Sequence, residues 1–224
     1  MTKQKITALF PQISTALLTL LFPKESKHAA VARMDAEALR LLLKPKCIPG
    51  AGIESFFPYE SETIRNLVWA LKYSGNQHAA ELFSEILEDV LLQECLELAH
   101  FNASVPLMIP VPLGQKRKKD RGYNQIELVS LHLAAHLGEA VEHRADLLFR
   151  TKETRPQSSL KRAERLHNVS DAFAVHNADA LKNRACILLD DVVTTGSTLG
   201  AAKDALLLAG AVTVRTYALS YAGE

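Results

Sequence analysis

The sequence predicts an α/β fold: a mainly parallel sheet flanked by helices, preceded by a helical N-terminal region. From residue 105 onward, short apolar runs alternate with segments of helical periodicity. Such alternation is typical of parallel strands whose connecting helices cover both faces of the sheet. Before residue 100 the apolar residues recur mostly at helical spacing instead. We therefore expect a helical region over residues 1–100 and an α/β domain over residues 101–224.

Composition and charge exclude several classes of protein. The chain has 224 residues, of which 48% are apolar and 23% charged, so it is long enough to bury a core and too apolar for a disordered chain. Its net charge of +1 neither favours nor excludes a nucleic-acid partner, although residues 150–167 are strongly basic. The three cysteines include no CxxC pair, which argues against a disulfide framework and fits a cytoplasmic protein.

The first half contains an amphipathic N-terminal segment and three further predicted helices. The opening stretch, "MTKQKITALFPQISTALLTLLFP", is interrupted by proline and polar residues, so we expect a docking helix and neither a signal peptide nor a membrane span. Apolar spacing predicts helices over residues 35–44, 61–74 and 77–99. Between them, "CIPGAGIESFFPYE" (residues 47–60) is rich in turn residues and is expected to be a connector.

The second half is predicted to supply the sheet. Strands are expected at "VPLMIPVP", "RADLLFR", "DAFAV", "RACILLDD" and "VTVRTYALSYA", because each is a short apolar run bounded by polar or turn residues. Helices are expected over residues 124–138 and 197–211, and glycines at 138 and 210 close them. No internal repeat is visible.

The stretch "ILLDDVVTTGSTLG", residues 187–200, carries the clearest functional pattern. A buried strand ends in Asp190 and Asp191, at the carboxyl edge where α/β sheets bind ligands. A loop of small hydroxylated residues around Gly196 then leads into a helix, whose free amides form a cradle for an anion. The pattern predicts a phosphate in the loop and hydroxyl groups or a metal beside the aspartates. No lysine follows the glycine and three spaced glycines are lacking, which excludes a Walker loop and a dinucleotide fingerprint.

This stretch resembles the phosphoribosyl-pyrophosphate (PRPP) motif of type I phosphoribosyltransferases. The resemblance implies that Asp190 and Asp191 contact the 2- and 3-hydroxyls of a ribose and that the loop binds its 5-phosphate. The loop residues carried over are Val192, Val193, Thr194, Thr195, Gly196, Ser197 and Thr198. The resemblance also implies Mg²⁺ as cofactor, bound through PRPP near the two aspartates and not by protein ligands alone.

A second block narrows the resemblance. "IPVPLGQKRKKDRGYNQIELVS", residues 109–130, is similar to the signature of ComF/GntX-like proteins, and "LKYSGN", residues 71–76, is similar to their Lys-Tyr-x-Gly element. Members of this family commonly have a four-cysteine zinc ribbon after an "LLFP"-like stretch. Here "KESKHAAVA" follows that stretch and Cys47 stands alone, so we expect no zinc.

Further site residues follow from these blocks. The resemblance places Pro112, Leu113 and Gly114 where the fold binds pyrophosphate. Guanidinium groups match phosphate oxygens bidentately, so Arg117 and Arg121 are expected to act with the two aspartates in catalysis. The polar stretch from 150 to 168 is expected to close over the substrate. Its candidate ligands for pyrophosphate or nucleic acid are Arg150, Gln157 and Arg165.

Several aromatic and polar residues have alternative interpretations. Tyr123 is the better candidate for contact with a substrate ring, whereas Trp69 and Tyr73 are expected to pack. Asn124 either contacts substrate or caps the next helix. The pair His132 and His136 is expected at the surface and not as metal ligands.

Two functions remain open from the sequence. The resemblance favours a phosphoribosyltransferase that binds PRPP with Mg²⁺ and releases pyrophosphate on attack by a nucleophile that the sequence does not specify. The alternative is a non-catalytic protein that binds a nucleotide, single-stranded DNA or a competence helicase, since ComF-like proteins are associated with DNA uptake. Basic residues at 115–121 and 150–165 support the alternative. The sequence indicates neither a membrane partner nor an oligomeric state.

Overall fold

A computed structural model of the chain describes residues 31, 33–48, 50–151 and 172–223. The chain divides into two compact units, residues 1–34 and 35–224. The elements below all belong to the second unit. Among the described residues, no helix is long and apolar enough to cross a membrane.

The central feature is a six-stranded sheet with the order β1-β2-β8-β7-β3-β4. β1 pairs antiparallel with β2, and the pairs β2–β8, β8–β7, β7–β3 and β3–β4 are parallel. Two short strands, β5 and β6, form a separate antiparallel ribbon. The strands are β1 (Lys46–Ile48), β2 (Ile53–Pro58), β3 (Leu107–Pro110), β4 (Glu142–His143), β5 (Leu148–Arg150), β6 (Phe173–Val175), β7 (Ala185–Val193) and β8 (Thr213–Tyr221).

The helices connect these strands and cover the sheet. They are α1 (Ala36–Arg40), α2 (Glu62–Ser74), α3 (Gln77–Asn102), α4 (Gln115–Arg121), α5 (Gln125–Leu137) and α6 (Ser197–Leu208). Gly75 ends α2 in the left-handed conformation, and Asn76 caps α3 by accepting a hydrogen bond from the Ala79 amide at 2.9 Å. The predicted fold class, a mainly parallel sheet flanked by helices, is confirmed.

The core is centred on β7. Its residues Ala185 to Leu189 are fully buried, because β3 and β8 pair with its two edges and helices cover its faces. Leu188 belongs to a cluster that also contains Leu107, Phe173 and Leu206 from neighbouring elements. Each such side chain contributes about 1.5–3 kcal/mol when removed from water, so the strand that carries the two aspartates is held rigidly.

The segment over 47–60 differs from the prediction. Instead of a connector it forms the β1–β2 hairpin, and β2 extends the sheet by pairing with β8. Ile53, Phe56 and Phe57 are almost fully buried, and these β-branched and aromatic residues favour a strand despite the flanking turn residues. The expected boundary near residue 100 falls within α3, and residues 35–224 form one compact unit.

Two smaller corrections concern the second half. The strands expected at 144–150 and 171–175 do form, but they pair with each other and not with the central sheet. The basic run at 115–121, for which no helix was predicted, forms the short helix α4, which Gly122 ends in the left-handed conformation. Lysine and arginine are good helix formers, so this run can be helical without burying a side chain.

Ion pairs join α3 to α5. The Glu81 carboxylate lies 2.6 Å from His132 Nδ1 and 2.9 Å from His136 Nε2, while His136 Nδ1 lies 3.1 Å from Glu88. Partial burial acts to lower the pKa of His136, but the hydrogen bonds to Glu81 and Glu88 outweigh it and raise that pKa. The two histidines are thus half-buried partners of carboxylates.

Gly196 occupies a crowded backbone position, which leads to a prediction about stability. Gly196 has φ of 80°, and a Cβ placed there would lie 2.6 Å from Ile53 Cδ1. Gly196→Ala should therefore lower the free energy of unfolding by about 1–2 kcal/mol. Gly200→Ala is the matched control, because nothing lies within 4 Å of its added Cβ and alanine favours the helix. Urea unfolding of both variants tests this, and equal stabilities would contradict it.

Candidate functional site

The loop after β7 forms a small cavity. Gly196 stands at the N-cap of α6 in the left-handed conformation, and the Thr195 and Ser197 hydroxyls lie 2.7 Å apart. The cavity measures about 130 Å³ and is lined by Asp190 and residues 192–199. The first amides of α6 have no partner within the helix, and the helix dipole makes its N-terminus attractive to an anion. This loop therefore has the geometry of a phosphate cradle.

The hairpin supports the loop from behind. Ala51 and Ile53 lie so close to Gly196 that a side chain at that position would contact both. Thr216 on β8 donates a hydrogen bond to the Gly52 carbonyl at 2.9 Å, which holds the hairpin turn against the sheet. The shape of the loop thus depends on a segment that is about 140 residues earlier in the chain.

Asp190 is the carboxylate that faces this cavity. It is partly buried, and its Oδ1 accepts a hydrogen bond from the Asp191 amide at 2.9 Å. Burial, and then the adjacent Asp191, raise the pKa of Asp190 well above its ordinary value near 4. Lys72 and Arg150 act in the opposite direction. A ligand that brings positive charge or hydroxyl donors to Asp190 would relieve this cost.

Asp191 has a different environment. Its side chain is 10% exposed, and its Oδ2 lies 2.9 Å from Lys72 Nζ on α2. The same oxygen accepts a hydrogen bond from Gln125 Nε2 on α5 at 2.7 Å. The two aspartates follow each other on one strand, so their side chains project to opposite faces, and Asp191 is directed towards the helices. Direct contact between Asp191 and a ribose stays a prediction.

Residues of the 109–130 block lie around Asp191. Arg121 NH1 donates to Gln125 Oε1 at 2.9 Å, so it supports Asp191 through one intervening side chain. Tyr123 donates from its hydroxyl to the Leu71 carbonyl at 2.9 Å. Asn124 caps α5 by accepting from the Ile126 amide at 3.3 Å, and it donates to the Val111 carbonyl at 3.1 Å. It also lines the second cavity described below, so its contact with substrate stays a prediction. These contacts fasten the start of α5 to α2 and β3.

A second cavity of about 320 Å³ lies beside the end of β3. Pro112 and Leu113 line it together with Arg150 and His176, and Gly114 stands at the N-cap of α4 nearby. The Arg150 guanidinium lies 4.7 Å from the Phe173 ring centroid. Burial lowers the pKa of Arg150, while the charge of Asp190 favours its protonated form. Among the described residues, Arg150 is the cation that links this cavity to Asp190.

Other predicted residues contribute less to the described site. Arg117 is exposed on α4 but close enough to Arg150 to affect its pKa. Gln157 and Arg165 lie outside the described residues. Lys72 and Gln125 lie within the stretches that resemble the family, but the sequence predicted no role for them. The signal that could have identified them is electrostatic, because two adjacent carboxylates at a strand end require a cation or donor nearby.

The donor set fits a Mg²⁺ ion that is held mainly by its ligand. Within the described ranges, no three His, Cys, Asp or Glu side chains come together as a metal site. Mg²⁺ usually retains several waters and binds one or two carboxylates together with substrate phosphates. Asp190, partly buried and with a raised pKa, can serve as such a carboxylate.

Comparison with curated proteins finds relatives over most of the chain. The chain is 32% identical over 158 residues to the DNA utilization protein YhgH of Escherichia coli O157:H7, a match that spans 68% of the chain and 65% of that relative. It is 34% identical over 116 residues to competence protein F of Haemophilus influenzae, covering 51% and 50% of the two chains. It is 27% identical over 175 residues to competence protein ComFC of Streptococcus pneumoniae, covering 77% and 70%. No protein-family model matches the chain.

The Lys72–Asp191 pair generates a prediction about stability. Lys72→Met removes the cation and leaves a nearly buried carboxylate with one donor, which should cost about 1–3 kcal/mol of unfolding free energy because the ammonium is 22% exposed. Adding Asp191→Asn should recover most of this loss. The control Lys182→Met breaks an exposed pair with Asp179 and should cost less than about 0.5 kcal/mol.

Urea unfolding of the single and double variants forms a double-mutant cycle for this pair. Additive losses for Lys72→Met and Asp191→Asn would mean that the two side chains do not interact as described.

Proposed function

Given that the chain belongs to the ComF-like family, we propose that it is a phosphoribosyltransferase that acts in DNA utilisation or uptake. It would bind PRPP with Mg²⁺ and transfer the phosphoribosyl group to a nucleophile, releasing pyrophosphate. The chain spans 65% of the length of the first curated relatives. The names of the relatives refer to DNA utilisation and competence. The phosphoribosyl activity is inferred from the resemblance of residues 187–200 and from the candidate site of this chain.

The observation that supports this proposal best is the cavity between Asp190 and the start of α6. Residues 192–199 and Asp190 line it together, so loop amides, hydroxyls and a carboxylate share one cavity. A phosphate in the loop would meet amides and hydroxyls, and the sugar attached to it would extend towards the carboxylate. A phosphorylated ribose has this combination of groups.

The residues that line the second cavity are proposed to bind the leaving pyrophosphate. Arg150 lines the second cavity and interacts electrostatically with Asp190, so a diphosphate could lie between the sugar and this guanidinium. Pro112 and Leu113 shape the same cavity. The described lining of the second cavity does not include Arg121. We assign Arg121 the role of positioning Gln125, which in turn donates to Asp191.

Catalysis by such a site consists mainly of positioning and charge stabilisation. Bound Mg²⁺ would neutralise charge on the departing pyrophosphate and so favour its release. The loop fixes the 5-phosphate and Asp190 orients the ribose hydroxyls, while Lys72 and Gln125 hold the neighbouring Asp191 carboxylate in place. The positive character that develops at the sugar would be stabilised by the Asp190 carboxylate.

Calorimetry with PRPP and Mg²⁺ tests this proposal directly. We expect binding by the unaltered protein and a roughly 10–100-fold loss of affinity for Asp190→Asn, because a charge-assisted contact is removed. The control Asp179→Asn changes an exposed aspartate away from the cavity and should bind normally. The absence of binding by the unaltered protein at millimolar PRPP would refute the proposal.

The raised pKa of Asp190 also predicts a pH dependence. The ionised form of Asp190 is the one that binds, so affinity should fall as the pH falls through the raised pKa, well above the pH at which an ordinary aspartate becomes protonated. Binding near that pH should release a proton, which calorimetry in buffers of different ionisation enthalpy measures. Affinity independent of pH down to about 4 would contradict the role of Asp190.

A second candidate is the binding of single-stranded DNA without turnover. It is favoured by α4, where residues 116–119 are four consecutive exposed cations on a helix that buries no side chain. Phosphate contacts dominate nucleic-acid affinity and make it sensitive to salt. The two candidates are compatible, since α4 begins beside the second cavity.

The variant Lys116→Gln with Lys119→Gln tests this candidate. If both lysines contact phosphates, the slope of log affinity against log salt should decrease in magnitude by roughly 1.4 for a single-stranded oligonucleotide. The matched control, Lys44→Gln with Lys182→Gln, makes the same charge change at exposed positions elsewhere and should leave the slope unchanged. DNA binding insensitive to salt would exclude α4 as the DNA contact.

A further inference from the structure

The exposed ring of Tyr73 has no role in the core. Tyr73 lies in the last turn of α2 and is 62% exposed, although the sequence favoured packing for this residue. Its ring centroid lies 5.2 Å from that of Trp69, one turn earlier on the same helix. An exposed tyrosine is ordinary by itself, so its neighbours decide whether it has a function.

The neighbour that matters is Arg121. Its guanidinium carbon lies 5.3 Å from the centroid of the Tyr73 ring, within the range of a cation–π contact. The same guanidinium donates to Gln125, and Gln125 donates to Asp191. Two side chains therefore connect the exposed ring to Asp191, the aspartate that is directed towards the helices.

We infer that Tyr73 and Arg121 form a stacking subsite for an unpaired nucleobase. Bases stack on tyrosine rings and guanidinium planes largely without regard to sequence. The position also suits a base, because Arg121 belongs to α4, where residues 116–119 are four consecutive exposed cations. The inference rests on the proposed function for where the sugar lies. The base could belong to a free nucleotide or to a nucleotide of a single strand.

The first experiment compares two ligands by calorimetry at fixed salt: ribose 5-phosphate and adenosine 5′-monophosphate. The added base should strengthen binding roughly 5–150-fold in the unaltered protein. Tyr73→Ala should remove this gain while leaving the affinity for ribose 5-phosphate unchanged, and Tyr73→Phe should keep it. Phe101→Ala is the matched control: this ring is 75% exposed, but it ends α3, which leads to the amino end of β3, the opposite edge of the sheet.

A second arm distinguishes the source of the base. A thymidine oligonucleotide is compared with an abasic strand of the same length, so that phosphate contacts are equal and only stacking differs. A Tyr73-dependent gain with the oligonucleotide alone supports a base within a strand, and one with adenosine 5′-monophosphate supports a free nucleotide. Trp69 is the single tryptophan of the chain and lies beside Tyr73, so its fluorescence gives an independent signal of stacking.

The outcomes separate this inference from the proposed function. Failure of ribose 5-phosphate to bind the unaltered protein would count against the proposed sugar site, while the oligonucleotide arm would still test Tyr73. If the base adds no affinity in either arm, or if Tyr73→Ala keeps the full gain, the stacking subsite is refuted. Thermal unfolding of each variant establishes that the fold is intact.

Discussion

The contact on which the site depends is the one between Asp191 and Lys72. Two adjacent carboxylates at the end of a buried strand repel each other and lose hydration, and each effect destabilises the ionised pair. Lys72 and Gln125 stabilise the Asp191 carboxylate by an ion pair and a hydrogen bond. The destabilising effects of burial and of the neighbouring charge then fall mainly on Asp190, the carboxylate that faces the cavity. The protein thus separates two chemically identical neighbours into one that is neutralised internally and one that is available to a ligand.

This arrangement explains why the helices before residue 100 belong to the same compact unit as the sheet. Lys72 comes from α2 and Gln125 from the start of α5, while Asp191 comes from β7, so the pair is complete only when three distant segments pack together. The Tyr123 hydroxyl, which lies just before α5, donates a hydrogen bond to the Leu71 carbonyl on α2 and strengthens this packing. Folding of the sheet and assembly of the site are therefore one process.

The sequence predicted most of the fold, including the strand, turn and helix that form the candidate site, because local patterns encode these elements. The apolar run before Asp190 and the loop around Gly196 are contiguous, and the strand, the turn and the helix that they predict are all present. Partners that depend on long-range packing could not be predicted. The hairpin around Ile53 has the composition of a connector, and its pairing with β8 is decided only by tertiary structure. Likewise, the exposure of Tyr73 depends on how α2 packs, which helical periodicity alone does not determine.

The close approach of Ile53 to Gly196 has a thermodynamic consequence. The hairpin and the phosphate loop share one packed contact, so the conformational freedom of each is limited by the other. A phosphate that orders the loop would also order the hairpin, and by linkage any partner that stabilises the hairpin would raise the affinity of the loop by the same factor.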